Sequence, residues 1–510
     1  MVDWFLNHMN RCWKILILLG VAFAAVLLIP LIHHYQLRFA VASYISKLKA
    51  QGEPMDLARV IPPPVPPDQN GVPLITHALA NLKSEGVVAN NPPPAMLMVA
   101  RGRAMIGWQQ PDLRISGRNS WDDLGRELAA AKNDLASFQT LADHPVLDFN
   151  LDYQKGADIQ IPHLAPLKRS AQWLSASALY DLHQEDPKSA CADVRALLAL
   201  VKGETDEWLI ISQLVRIAIA SIGSSATWEI LQNPNVSDDD LAQLQQDWQS
   251  LEFTRPTEQA MMFERVEGLQ GLAQIRKSSE KFDEIWGDFY KSGSSPNRGG
   301  DLGMPQKTRS LFLRKWDELR WRWFWSYQDE LSGLRAFQIV IDAARMDETN
   351  ESSLLAQSFA LARLNQNASY DLHNYFSQSV SAMPSMLRRT ARIETCQNAV
   401  VTAIALKRYE LRHQQLPATL DDLTPDLLKA VPIDCMDGQP LRYRPKADGT
   451  LMLYSVGENG KDEGGDTSLE KGVTGSNFYW QNDHALDWVW PQPATPAEIQ
   501  SFYARQKNSR

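Results

Sequence analysis

The sequence predicts a mainly α protein with an N-terminal transmembrane helix, an irregular helical bundle or solenoid as its body, and a small C-terminal α+β module. Three observations carry that expectation. Residues 15–32, ILILLGVAFAAVLLIPLI, contain no charge. From Trp121 to about Tyr290 apolar residues recur at helical spacing, broken only by short turn signals. After about Arg392 a helical pattern passes into two strand-like runs and an acidic, glycine-rich loop. With 510 residues the chain is long enough for more than one core. Its 44% apolar and 22% charged residues are those of a folded protein, and its 16 tryptophans need burial.

At 1.5 Å per residue a helix over 15–32 covers about 27 Å, close to the hydrocarbon thickness of a bilayer. It reads as one retained span. Arg11 and Lys14 precede it, while His33, His34, Arg38, Lys47 and Lys49 come after it, so charge alone orients it weakly. The short tail, 1–14, is placed in the cytoplasm because it is easier to leave untranslocated than the body is. The competing reading is a cleaved leader ending at Ala40-Val41-Ala42, although that site lies about ten residues beyond the apolar run. The apolar stretch Leu209–Leu231 carries Arg216, Gln213 and Glu229 and reads as a packed soluble helix.

Residues 33–120 form a Pro-rich membrane-proximal region. IPPPVPPDQNG at 61–71 and NNPPPAM at 90–96 favour extended polyproline II, a stiff spacer. A helical domain occupies 121–291, with helices expected at 121–142, 166–183, 188–203, 206–232, 237–250 and 256–290. Ser237 before Asp238, Asp239 and Asp240 is a helix start, since a serine oxygen caps free amides and carboxylates favour the positive helix end. Ala178, Ala190, Val194 and Leu197 fall near tetratricopeptide-repeat spacing, but there is no second copy at a 34-residue period. SGSSPNRGGDLGMPQK at 292–307 reads as a linker or surface loop. The second helical region, 308–384, carries Trp316, Trp321, Trp323, Trp325 and Tyr327 beside Arg320 and Arg322. Burial in a core is the favoured reading of these rings, and a membrane-interface belt the second.

The C-terminal module spans 385–490 and is succeeded by a tail, 491–510. Ile393, Val400, Ile404 and Leu411 line one stripe of a helix from about Ser385 to Arg412. Leu420, Leu423, Leu427 and Leu428 suit a short helix and turn. Leu441–Arg444 and Leu451–Tyr454 read as a hairpin joined across Asp448-Gly449. In this order, Tyr409, Leu416-Pro417, Leu420, Leu423, Pro432, Asp434, Gly438, Pro440, Tyr443, Gly449, Tyr454-Ser455 and Gly457 resemble the C-terminal domain of the major pseudopilins of type II secretion. The resemblance covers 70 to 80 residues, about a seventh of the chain. It implies a pseudopilin-like α+β fold, a setting in the bacterial envelope, and calcium held by the loop after the last strand. In this chain the loop is SVGENGKDEGGD, with Val456, Asn459, Asp462 and Asp466 as candidate calcium ligands. Asn459 stands where the family tends to have aspartate, which removes a charge. The other reading of the loop is a set of tight glycine turns whose acids face water. The pilin cleavage site is missing and the module lies about 350 residues from the span, so a polymerising pilus subunit is not expected.

Net charge is −9 with no Lys/Arg block, which excludes a nucleic-acid surface. Cys12, Cys191, Cys396 and Cys435 form no zinc-binding spacing. No nucleophile elbow, phosphate loop, dinucleotide loop or HExxH helix occurs. His144, His163, His183, His373 and His413 are scattered, and no residue is assigned a catalytic role. The expectation is therefore a single-pass protein of the bacterial inner membrane, its body in the periplasm, touching lipid through the N-terminal helix and acting as a scaffold for envelope partners. The alternative is a membrane-tethered hydrolase with a pocket in the helical body, which would require buried His, Asp and Glu to converge.

Overall fold

Residues 2–50 carry only one glycine and one proline, and they form one helix, α1 (Val2–Ala50). The structure, a computed structural model, describes residues 2–113, 119–144, 146–284, 315–348, 358, 376, 380–446, 449–473, 480–481 and 484–508. It is mainly helical with two small sheets. The chain divides into two compact units, one of Met1–Val60, Met262–Val340 and Arg363–Met383, the other of Ile61–Met261, Ile341–Ala362 and Pro384–Arg510. The expected linker at 292–307 lies outside the described residues.

The first unit is held by a buried polar contact and a tight aromatic one. Arg265 is fully buried, and its guanidinium donates to Glu53 at 2.9 Å, to the Pro54 carbonyl at 3.0 Å and to Gln338 at 2.5 Å. The Phe376 ring is wedged between Gly268 and Gly333, where an added Cβ would come within 2.2 Å of ring carbons on either side. Asp329, also fully buried, accepts from the Phe376 amide at 3.0 Å and fixes that wedge.

The second unit is built on α6 (Leu164–His183), α7 (Pro187–Gly203) and α8 (Ile210–Leu231), which pack on one another through short connections. Leu167, Leu174, Leu197, Ile219 and Trp228 form their shared core at zero exposure. Asp186 caps α7, with Pro187 at its first position where no amide is needed. Ser237 caps α9 (Asp238–Gln249) through the Asp240 amide, as its sequence predicts. Although α8 is apolar and long enough to cross a membrane, half of its most apolar stretch is buried, and Arg216 and Glu229 on it are fully enclosed. It is a core helix.

The spacer expected over 61–71 and 90–96 flanks folded structure. Helices α2 (Val72–Asn81) and α3 (Val87–Asn90) and strands β1 (Leu97–Ala100) and β2 (Arg103–Met105) occupy this region, with Ile75, Ala78, Val88 and Ala104 in the core of the second unit. The remaining helices are α4 (Trp121–Ala130), α5 (Lys132–Gln139), α10 (Thr254–Lys277), α11 (Ser326–Glu348), α12 (Met383–His413) and α13 (Pro496–Asn508).

On α12, Ile393, Val400 and Ile404 are buried, which confirms the stripe. Strands β3 (Arg442–Pro445) and β4 (Leu451–Ser455) form the expected antiparallel hairpin, and β5 (Trp488–Val489) completes the sheet on the far side of β4. Gly449 takes φ +80° at the turn, a conformation that favours glycine. A second sheet runs in the order β1-β2-β6, with β6 (Gln492–Pro493) parallel to β2. Two neighbouring residues of α8 organise it: Trp228 Nε1 donates to the Pro491 carbonyl at 2.8 Å, and the Glu229 carboxylate accepts from the Met96 amide at 2.7 Å and the Gly107 amide at 3.0 Å. Cys191 and Cys396 are free thiols, and both they and Cys435 are buried.

Candidate functional site

The exposed apolar surface of the first unit begins on α1. Leu16, Leu18, Ile29 and Ile32 are 55–68% exposed there. Beyond the end of the apolar run, α1 packs against a π-helical turn, Trp321–Trp325, which is entered from helical residues 315–320 and continued by α11. Trp316, Leu319, Arg320, Trp323 and Phe324 recur at positions i, i+3, i+4, i+7 and i+8, which puts them on one helical face. Trp316, Leu319 and Trp323 are half exposed, as is Phe324 to a smaller degree. With Leu31 of α1 and Trp325 they line a cleft of about 720 Å³.

Trp321 alone among these rings is buried, and its indole donates to Asp329 at 3.4 Å. The expectation of core burial is therefore corrected for Trp316 and Trp323: the face they share is open, and only the phase occupied by Trp321 points inward. Cations rim the shelf. The Arg320 guanidinium lies 4.7 Å from the Trp325 ring centre, and Arg276 lies 4.2 Å from that of Tyr327 while pairing with Glu330. His34 contacts Tyr327 with ring centres 4.9 Å apart. Burial pushes its pKa below the usual histidine range, and Arg276 and Arg38 add to the shift, which favours the neutral ring.

The acidic loop after β4 is a series of side-chain-supported turns. Asn459 Oδ1 accepts from the Lys461 amide at 2.8 Å, Asp462 Oδ1 from the Gly464 amide at 2.9 Å, and Asp466 Oδ1 from the Ser468 amide at 2.8 Å. Asp462 also accepts from the Tyr454 hydroxyl at 3.0 Å and faces Arg442 at 3.6 Å. Val456 is buried, with its amide donated to Asp434 at 2.9 Å. A hydrogen bond from the Gly464 amide holds the Asp462 carboxyl below the usual carboxylate range. Among the described residues Asp462 and Asp466 share no site with a third acid, histidine or cysteine.

Two buried acids to which the sequence alone assigns no role set the module's shape. Asp434 accepts from the Met436 and Val456 amides and from Ser455 Oγ, and it faces Arg442 at 3.4 Å. Burial pushes its pKa up to about 6 against those bonds. Asp487 accepts from the Gly465 and Asp466 amides at 2.8 and 3.1 Å, pinning the acidic loop to β5. The signal for Asp434 is its place among the residues of the pseudopilin resemblance, whereas Asp487 has none.

A second cleft, of about 260 Å³, lies between α8, α12 and the β3–β4 turn. Its ionisable lining is the Lys407–Glu410 ion pair, at 2.9 Å, and it brings no histidine or paired acids together. Compared with protein-family models, curated proteins and solved structures, the chain matches none of them.

Proposed function

We propose that the protein is a single-pass, membrane-anchored envelope protein that acts as a scaffold, with residues 15–32 of α1 in the inner membrane and a pseudopilin-like C-terminal module offered to protein partners in the periplasm. The observation that carries this reading is that the described apolar side chains of α1, Leu16–Leu19, Leu28, Ile29, Leu31 and Ile32, are exposed, as are Trp316 and Trp323 of the aromatic shelf. Water makes such a surface costly, at about 25 cal/mol per Å² of apolar area, whereas acyl chains and the headgroup boundary accept leucine, tryptophan and arginine in this order. The acids of the C-terminal module are engaged in turns and caps, which suits contact rather than turnover.

Alkaline extraction of membranes tests the anchor: the full chain should stay in the pellet, and a C-terminal reporter active only outside the cytoplasm should be active. Crosslinking in intact cells tests the scaffold and should capture defined envelope proteins. A chain found freely soluble, or a reporter active only inside the cell, would defeat the reading. The tethered hydrolase remains the second reading because His163, Glu204 and Glu207 converge in the helical body, yet their side chains are at most 5% exposed.

A further inference from the structure

We infer that the second unit holds one divalent transition-metal ion, of the zinc class, between His163, Glu204 and Glu207. The ion's role is to tie α6 and α7 to the start of α8. One ligand atom from each residue lies within 4.8 Å of the others. His163 Nε2 is 3.0 Å from Glu207 Oε2 and 4.0 Å from Glu204 Oε1. A tetrahedral zinc ion with bonds of about 2.1 Å places its ligands roughly 3.4 Å apart, so small side-chain rotations bring these three groups to three of its four positions.

The local fold delivers these three groups for separate reasons. His163 stands at the N-cap of α6, its ring stacked on Phe149 at 4.0 Å and 14°. Phe149 is brought there by residues 146–149, where the Leu147 amide donates to the Gly203 carbonyl at 2.9 Å. Gly203 is required by that approach, since a Cβ would come within 2.6 Å of Leu147. Glu204 is the C-cap of α7, and Glu207 lies in the turn just beyond it. Around the ligands, Ser212 Oγ donates to the Glu207 carboxylate, and Gln213 Nε2 donates to the Glu207 carbonyl at 2.8 Å. Such supporting bonds fix ligand orientation.

Glu204 asks for a cation. Its side chain is fully enclosed, and neither carboxylate oxygen has a hydrogen-bond partner. It also sits at the negative end of α7, where a carboxylate is disfavoured and a cation is welcome. The nearby Arg216 guanidinium donates to the Val201 carbonyl, at 2.6 Å, and to Gln213, at 3.1 Å. A buried acid of this kind normally has partners. One imidazole and two carboxylates form a borderline-hard donor set that suits Zn²⁺ better than Ca²⁺, which takes six to eight oxygens. Closure from solvent makes the ion structural rather than hydrolytic.

The test uses full-length protein in detergent micelles, stripped with chelator, exchanged into about 10 μM ZnCl₂ (about ten-fold over protein) and freed of excess ion. Metal content should be about one Zn²⁺ per chain, and the melting temperature should rise by a few degrees on reloading, as binding to the folded state alone requires. Glu204→Gln keeps the shape of the side chain but removes the anionic ligand, and it should lower zinc affinity at least ten-fold. His163→Ala should do the same. Wild-type protein that retains less than a tenth of an equivalent overturns the inference. So does retention unchanged in Glu204→Gln, the variant to rely on if His163→Ala does not fold.

Discussion

Glu229 should make the stability of the second unit fall with rising pH. Its carboxylate is fully buried and tied to the Met96 and Gly107 amides, and burial pushes its pKa up to about 8 despite those bonds. An unfolded glutamate titrates near 4.3. Because the folded value is the higher one, the folded state binds the extra proton. The stabilisation is complete below about pH 4 and is lost as pH rises through 8. Between pH 6 and pH 9 the loss is about 2.7 kcal/mol, at about 1.36 kcal/mol per pH unit below the folded pKa and none above it. For a unit of this size, that is roughly 4 °C in melting temperature at about 2.1 cal/mol/K of unfolding entropy per residue.

The perturbation is Glu229→Gln, which cannot ionise and keeps one carbonyl oxygen for the amides. The assay is thermal denaturation monitored by circular dichroism from pH 6 to pH 9. Other groups titrate in both proteins, so the difference between them isolates this site. The wild type should lead at pH 6 and lose about 4 °C of that lead by pH 9. A difference that stays flat would refute the reasoning, since the carboxyl would then share one pKa in both states.

The packing sets three further outcomes. Gly333→Ala should destabilise the first unit by about 1–3 kcal/mol, because its Cβ meets the Phe376 ring at 2.2 Å and Gly268 blocks the ring's retreat; Phe376→Leu in the same chain should recover part of the loss, and limited proteolysis of α11 reports both. Asp434→Ala should cost the C-terminal module about 3 kcal/mol, because it strips partners from two buried amides, Ser455 and Arg442 at once; hydrogen exchange at Val456 reads this directly. Calcium at millimolar concentration should leave the melting temperature unchanged, since turns already engage Asn459, Asp462 and Asp466. A rise with calcium that disappears in Asp462→Asn would restore the loop as a cation site.

Local signals were legible and assembly was not. Ser237 and the triple aspartate named the start of α9, and Asp448-Gly449 named the hairpin, because caps and turns are decided within four residues. The prolines at 61–71 mark a stretch without helix, but they do not announce the burial of Ile75 and Val88 beyond them, which depends on partners far along the chain. The His163 cluster is of that second kind. His163 and Glu204 are joined only by the hairpin of α6 and α7, and the one local hint was Glu204 and Glu207 directly after a helix-ending glycine. A carboxylate at the C-terminus of a helix is against the dipole, so it asks for a cation even before a structure exists.

The tryptophan segment makes the opposite point. Counting all its rings together led to a core, because six aromatics in twelve residues cover every side of a helix. Sorting them by phase separates Trp316, Leu319, Arg320, Trp323 and Phe324 from Trp321, and only the last is buried. A π-helical turn then begins at Trp321, where the wider winding shifts the phase of the residues after it, so Trp325 lies under Arg320 while Tyr327 meets Arg276 and His34. The stripe is the part of this segment that the proposed membrane contact would use, and Trp321 fastens the segment to Asp329. Replacing Trp323 by serine should weaken membrane retention of the body without unfolding it, whereas replacing Trp321 should unfold the segment first.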